Sequence, residues 1–599
     1  MIKALQSSPD MVPTGLQSRG EIFRRRLLVA LLNLITMAGF GLWLVQILSP
    51  ADYGVSAWSW VDSAIVCAFM LAVPWTVLGF WNAMIGLWLL HGTSDGLRKV
   101  APYLEVGDRG KPLRLPTAIL MTLRNEDPAR AFARLHVIKE SLDATNEGAS
   151  FSFFVLSDSD QPAIIAREEA LFAAWKGMAE RPESLVYRRR IKNNGYKAGN
   201  IADFCDRWGH DYAFLLPLDA DSVMDGQTIC RMIRIMQDTP KLGILQSLVV
   251  GAPSDSAFAR IFQFGMRHGM RSYTMGQAWW AADCGPFWGH NAVLRTAPFM
   301  DHCGLPALSG SPPFGGPILS HDQVEAVLMR KAGFEVRVLP VEVGSYEDNP
   351  PTVLEFTRRD LRWCQGNLQY LRLLNWPGLL PTSRFQLIWA ILMFIGLPGF
   401  VATIALIAYK AYQFDPDLAF NSAAAWGFYG VFLIASLAPK WAGLIDIAMQ
   451  PRELTRYGGA RLFWLGGFYE TVFGFLLGGI TTVGNSLFML GLLFGRSVIW
   501  SGQLRDAHHL SWKTAFLGLW PQTVFGLVVT GVLAFSNMTL LLASLPLTAG
   551  YLLAIPFAVF TARPAFGVWL KQKGLFALPE ERNQPDILRE LDGLLNRRR

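Results

Sequence analysis

Long apolar blocks frame this sequence, and short apolar runs fill its middle. Two blocks come first, Leu27–Leu48 and Val61–Leu90, the second interrupted by Pro74. Five more follow: Phe385–Lys410, Ala424–Met449, Phe463–Phe494, Thr514–Phe535 and Thr539–Thr561. Each is near or above the ~20 residues that a helix needs to cross a bilayer. The first follows Arg24-Arg25-Arg26 and exceeds the ~7–15-residue apolar core of a cleavable signal, so an uncleaved span is expected. Charge, Gly and Pro rise abruptly at His91-Gly92 and persist to about Arg384. The pattern predicts an inserted soluble domain over 91–384, two spans over 27–90 before it, and a membrane region over 385–561 after it.

Basic residues set the expected orientation. Arginine triplets at 24–26 and 597–599 place segments 1–26 and 562–599 in the cytosol, because Lys and Arg beside a span rarely cross. Five crossings after a cytosolic domain would leave the C-terminal tail outside. The run 463–494 is long for one span and holds Gly478-Gly479 and Gly484-Asn485, so it is read as a hairpin or a span plus re-entrant element. That gives about eight spans, two before and six after, with a cytosolic loop at 496–513. The surplus charge of +7 lies beside apolar segments instead of along one stripe, which indicates membrane topology and not nucleic acid. Composition agrees, with 51% hydrophobic and only 17% charged residues where soluble domains carry ~25% charge. Six scattered cysteines form no C-x-x-C pair, so neither a disulfide framework nor a zinc site is indicated.

Inside the island, short apolar runs alternate with helical stretches, predicting an α/β domain with a mostly parallel sheet. Thr117–Thr122 leads into Arg124-Asn125-Glu126-Asp127-Pro128 and a helix over 129–143; Phe151–Leu156 leads into Asp158-Ser159-Asp160; Tyr212–Leu218 leads into Asp219-Ala220-Asp221. Ligands of open α/β sheets bind beyond the carboxyl ends of the strands, so three acidic strand ends imply one ligand-binding rim. Taken singly, Asp127 and Asp160 read equally as helix N-caps, and a lone D-x-D is more often a solvated turn. Together, the pair Asp219 and Asp221 offers hard oxygens to a divalent cation that can hold a diphosphate.

With these motifs the chain resembles the membrane-bound, processive family 2 glycosyltransferases, and most closely the glucans biosynthesis glucosyltransferase H family. The motifs, in the family's order, are Asn125-Glu126-Asp127, Ser157–Asp160, Lys197–Asn200, Asp219-Ala220-Asp221, Phe287–Arg295, Ser320-His321-Asp322 and Arg359–Trp363. Cellulose synthases carry T-E-D where this chain has Ser320-His321-Asp322, and Gln where it has Arg359. The resemblance implies a GT-A type catalytic domain and a bacterial inner-membrane location. It also implies UDP-glucose as donor, a β-1,2-linked glucan as product and acceptor, and a periplasmic glucan biosynthesis protein as partner. A cellulose-like synthase, or one-step transfer to a polyprenyl phosphate, is the alternative.

Roles then follow residue by residue. Asp221, with Asp219 nearby, is expected to hold Mg²⁺, Mn²⁺ being the alternative, and to neutralise the departing diphosphate. The resemblance turns Asp219 also toward the ribose and assigns Glu126, Asp158 and Lys197 to the nucleotide pocket. Asp322 is the expected general base, since inverting displacement needs one carboxylate to deprotonate the attacking hydroxyl; it is also a candidate N-cap for a helix over 323–331. Arg362 suits a phosphate through its planar fork. Arg359 and Trp363 are placed at the acceptor and channel entrance, where an indole face stacks on a pyranose. Lys440, Asp446 and Glu470 fall within apolar runs and are expected to line a glucan path. The 496–513 loop, with Trp500, Arg505 and His508-His509, is a candidate cover for the nucleotide.

Overall fold

The computed structural model describes residues 16–49, 58–413, 422–498 and 506–596. Two long apolar helices open the chain, α1 (Arg19–Leu48) and α2 (Trp60–His91), and an α/β domain follows. The strands of its main sheet are β1 (Thr117–Leu123), β2 (Phe151–Ser157), β3 (Leu185–Arg189), β4 (Phe214–Leu218), β5 (Leu242–Ser247), β6 (Ala292–Arg295) and β7 (Glu335–Leu339), and three short strands, Val223–Met224, Val250–Gly251 and Ser345–Glu347, make a second, small sheet. They form one seven-stranded sheet in the order β3-β2-β1-β4-β6-β5-β7, parallel except where β6 runs antiparallel between β4 and β5. β1 and β4 read as uninterrupted apolar runs because helices cover both faces of the sheet, and β4 is buried along its whole length.

Helices α3 (Pro128–Asp143), α4 (Pro162–Met178), α5 (Tyr196–Trp208) and α6 (Gly226–Asp238) follow β1 to β4 in turn. Asp127 caps α3 by accepting from the Ala129 N–H at 2.9 Å, and Pro128 fills the first helical position, where no donor is needed. Three further helices belong to the second half of the domain: α7 (Ala257–Ala281), α8 (His321–Lys331) and α9 (Val353–Gln369).

The membrane region comprises α10 (Pro381–Gln413), α11 (Ser422–Ala448), α12 (Ala460–Leu493), α13 (Trp512–Ser536), and the pair α14 (Met538–Leu552) and α15 (Ala554–Thr561), bent by 55° at their junction. Among the described residues, six helices are long and apolar enough to cross a membrane, and the bent pair makes a seventh. The expected hairpin within 463–494 is absent: α12 is one continuous helix of 34 residues, about 50 Å long.

Packing shows how α12 is used. Near its start, Phe463 meets Phe264 of α7 with ring centroids 5.8 Å apart, and Phe473 meets Phe258 at 5.4 Å. Near its end, Asn485 donates to Asp360 of α9 at 2.6 Å, Phe488 and Leu492 share a core with Tyr370 and Leu373, and the Val498 N–H reaches Gln365 Oε1 at 2.8 Å. Both ends therefore rest against the same domain, whereas a crossing helix would carry one end ~30 Å away. We read α12 as lying across the base of the domain. Its glycines serve close approach and not a turn: a Cβ on Gly479 would lie 3.0 Å from Gly550 Cα, and one on Gly484 3.2 Å from Gln522 Nε2.

Six candidate helices and one bent pair stand among the described residues where about eight spans were expected, and with α12 read as lying we count two crossings before the domain and four after it: α10, α11, α13 and the bent pair. The even number returns both ends to the domain's side. Arg26 pairs with Asp283 of the domain and Gln17 donates to the Lys99 carbonyl at 2.8 Å. At the other end, Glu580 binds Arg267 of α7 at 2.9 Å, and α16 (Asp586–Asn596) buries Ile587, Leu588 and Leu591 in the core that holds α3.

The three intramembrane charges are also placed differently from expectation. Glu470 is buried and bonded to Lys440. Asp446, wholly buried, accepts from His91 at 2.8 Å and lies 3.5 Å from Arg271. These pairs tie the helices together.

Candidate active site

The register of the parallel strands builds the rim. Leu123 pairs with Ser157 and Ser157 with Arg189, while Leu218 pairs with Met121. The residues that follow these strands, 124–127, 158–160, 190 and 219–221, therefore emerge at one edge. The first two loops are laced together: Asn125 sits at φ +58°, its N–H donates to Ser159 Oγ at 2.8 Å and its amide to Asp160 Oδ1 at 2.8 Å. Asn tolerates this left-handed conformation better than most residues.

Glu126, half-buried, accepts from the Arg124 N–H. Desolvation, with the nearby charges of Asp219 and Asp221 adding to it, raises its carboxyl to about 7. Crowded like charges of this kind mark sites that take a cation. Asp221 is buried; Asp219 is more open and pairs with Lys197 from the first turn of α5. Asp219 and Asp221, two carboxylates on one turn, are hard oxygen donors of the kind that would hold a divalent ion. Among the described residues no set of three His, Cys, Asp or Glu side chains is placed to hold a metal by itself.

Asp158 is engaged by a group that sequence reasoning passed over. Arg190 binds both its carboxylate oxygens at 2.7 Å and donates to the Tyr196 carbonyl at 3.0 Å. The guanidinium thus fixes the floor of the expected nucleotide pocket and the turn that delivers Lys197. Only the pairing of β3 with β2 brings Arg190 there.

Asp322 comes from the opposite wall. It is the second residue of α8 and not its cap; Ser320 precedes the helix without a side-chain cap bond. Its Cβ lies 3.4 Å from where a Cβ on Gly289 would stand, and Gly289 has φ +79°, so the Trp288-Gly289-His290 turn closes on Asp322 as only glycine allows. His290 reaches back to the rim, 3.4 Å from Ser222 Oγ. A second unforeseen pair adjoins the expected base: His321 Nδ1 lies 2.9 Å from the buried Glu325. Its H-x-x-x-E spacing on a helix was a usable signal.

Helix α9 closes the site toward the membrane. A Cβ on Gly366 would fall 2.2 Å from Ser320 Oγ, so α9 packs directly on the segment carrying Asp322. Arg359, Arg362, Trp363 and Gly366 share one helix face by their spacing, and Gly366 brings that face against Ser320. Trp363 is exposed, and the Arg359 guanidinium lies over its ring at 4.8 Å and over Phe356 at 5.4 Å. The structure thus gathers Glu126, Asp158, Lys197, Asp219 and Asp221 at the rim, with Asp322 and the α9 trio on the membrane-facing wall. Of the 496–513 loop, Trp500 and Arg505 lie outside the described residues; Asp506 pairs with Arg130 of α3.

An α/β domain with an acidic strand-end rim, set on membrane helices, defines a membrane glycosyltransferase. The model of glycosyl transferase family group 2 matches residues 214–415. Curated relatives named glucans biosynthesis glucosyltransferase H are 35% identical in Xanthomonas oryzae pv. oryzae, covering 88% of this chain and 83% of the relative. The figures are 35%, 92% and 75% for Vibrio cholerae, and 33%, 94% and 86% for Caulobacter vibrioides. The chain belongs to the glucans biosynthesis glucosyltransferase H family.

Proposed function

We propose that the protein polymerises glucose from UDP-glucose into a β-1,2-linked glucan by repeated inverting transfer, with its catalytic domain and both termini in the cytosol. The product leaves through the membrane helices of the bacterial inner membrane toward the periplasm, where a glucan biosynthesis protein receives it. The reading is supported by the crowding of Glu126, Asp219 and Asp221 at the strand-end rim, with a separate carboxylate, Asp322, in the first turn of α8 and α9 packed on the segment that carries it.

In this reading Asp219 and Asp221 hold Mg²⁺ with the donor's diphosphate, and the ion supplies charge neutralisation for the leaving group. Asp158, fixed by Arg190, accepts from the nucleobase or ribose. Lys197 exchanges its bond to Asp219 for a phosphate oxygen when the donor enters. Asp322 takes the proton from the acceptor hydroxyl as it attacks the anomeric carbon from the face opposite the diphosphate. Arg362 binds the diphosphate, and Trp363 stacks on the acceptor sugar once Arg359 moves off its face.

The test is purified protein in proteoliposomes with UDP-[¹⁴C]glucose and Mg²⁺. A water-soluble β-1,2 polymer is expected, and Asp322→Asn should lower turnover by about 10²–10⁴-fold, the usual worth of a general base. A solvent-extractable product, or full activity in Asp322→Asn, overturns the reading.

A further inference from the structure

We propose that Glu168, a wholly buried residue of α4, is a positioning residue for the donor nucleotide: acting through Ser159 and Asn125, it fixes the two loops that carry Glu126 and Asp158. This rests on the assignment of those two acids to the nucleotide pocket.

Three observations carry it. First, Glu168 has no exposed surface, and both its carboxylate oxygens accept, Oε1 from the Ser159 hydroxyl at 2.7 Å and Oε2 from the Tyr187 hydroxyl of β3 at 3.0 Å. A serine hydroxyl has one proton and two lone pairs. With the proton given to Glu168, the lone pairs are left for the other side, where the Asn125 N–H donates to Ser159 Oγ at 2.8 Å. Second, that bond joins the immediate neighbours of the two pocket acids, since Asn125 precedes Glu126 and Ser159 follows Asp158. The pairing of β1 with β2 ends at Leu123 and Ser157, so the loops beyond it need other bonds to hold their spacing. Third, those bonds converge on Asn125. Its amide donates to Asp160 Oδ1 at 2.8 Å, and its side-chain oxygen accepts from the N–H groups of Asp160 and Gln161 at 3.1 and 3.3 Å. Asn125, at φ +58°, is also the turn across which Glu126 accepts from the Arg124 N–H.

Glu168 therefore acts on the donor without touching it. Removing its carboxylate leaves the Ser159 hydroxyl free to rotate, loosens Asn125 and lets the two pocket acids shift against each other. Groups that bind donor and transition state alike affect KM and leave kcat as it was. A folding defect does the reverse: fewer molecules work, so apparent kcat falls while KM holds.

The experiment measures KM and kcat for UDP-glucose in the proteoliposome assay for wild type, Glu168→Leu, Glu168→Gln, Ser159→Ala, the double variant Ser159→Ala with Glu168→Leu, and Asp158→Asn. The expected result is a KM raised about three- to tenfold in Glu168→Leu and in Ser159→Ala, the worth of one hydrogen bond, with kcat unchanged. Glu168→Gln should stay near wild type, because its amide oxygen still accepts from Ser159. The double variant should be no worse than the worse single one, since both break the same connection. Should Glu168→Leu fail to insert, Ser159→Ala decides by the same split between KM and kcat. A lower kcat at unchanged KM, additive effects in the double variant, or a KM in Glu168→Gln as high as in Glu168→Leu overturns the inference. An unmoved KM in Asp158→Asn means that the pocket assignment itself has failed; a raised KM there with unmoved Glu168 variants overturns this inference alone.

Discussion

Carboxylates are treated in opposite ways in the two halves of this protein. On the membrane side each buried acid meets a base from another helix: Glu470 meets Lys440, Asp62 meets Lys410, and Asp446 meets His91 and Arg271. At the strand-end rim, burial raises the Glu126 carboxyl and the neighbouring charges of Asp219 and Asp221 add to the rise. The membrane acids lower the energy of the fold, because an unpaired charge in that setting is expensive. At the rim it is the charge on Glu126 that burial and its neighbours oppose, while Asp219 is paired with Lys197. Charge that opposes folding locally is the better guide to function.

Substitutions should separate the two groups sharply. The largest effect belongs to the rim: Asp221→Asn should lower turnover by roughly 10²–10³-fold, the scale of removing one electrostatic contact to a developing charge. Its melting temperature should hold, and activity should vanish with EDTA in the wild type. A large loss of melting temperature would place Asp221 with the structural acids instead. Next, Glu470→Ala strands the Lys440 ammonium and should destabilise by about 3–5 kcal/mol, read as loss of detergent-solubilised protein on heating; donor binding by the surviving fraction should be unchanged.

The smallest effect reverses the usual sign. Glu126 is raised on folding, so whatever stability it contributes is complete below its unfolded value of 4.5 and is lost as pH rises through about 7. Glu126→Gln should therefore melt higher than wild type at pH 8, the difference closing toward pH 4.5 even as activity falls. Equal melting temperatures at pH 8 would show that the rim is not strained.

A parallel contrast separates α12 from α13. Their mean hydropathies over the best window are equal at 1.6, and one lies across the domain while the other runs away from it. Single cysteines at Arg461 and Leu493 should both react with a membrane-impermeant maleimide from the domain's side only. Cysteines at Lys513 and Ser536 should react from opposite sides. Labelling of Leu493 from the far side would restore the crossing.

Much of the site was legible in the chain, for reasons that particular residues make plain. The rim could be read because parallel strands deliver their next residues to a common edge, so Glu126, Asp158, Asp219 and Asp221 needed only correct strand ends. Arg190 could not be read: it acts through the pairing of Ser157 with Arg189, a neighbour relation between strands. The turn at Asp322 was off by two residues, since Ser320 and not Asp322 precedes the helix. Gly478-Gly479 suggested a break, because glycine lowers helix propensity, yet Gly479 serves to let Gly550 approach.

By itself the sequence determined which segments are apolar enough to leave water and which acids terminate the strands between them. These are local properties, carried by length, periodicity and the residues flanking each run. The tertiary structure decided what each apolar helix packs against, and therefore that 460–493 lies across the domain while 512–536 leaves it. It also decided which acids are paired and which crowd one another. Those outcomes depend on what stands opposite a side chain in space, and hydropathy counted along the chain does not record it.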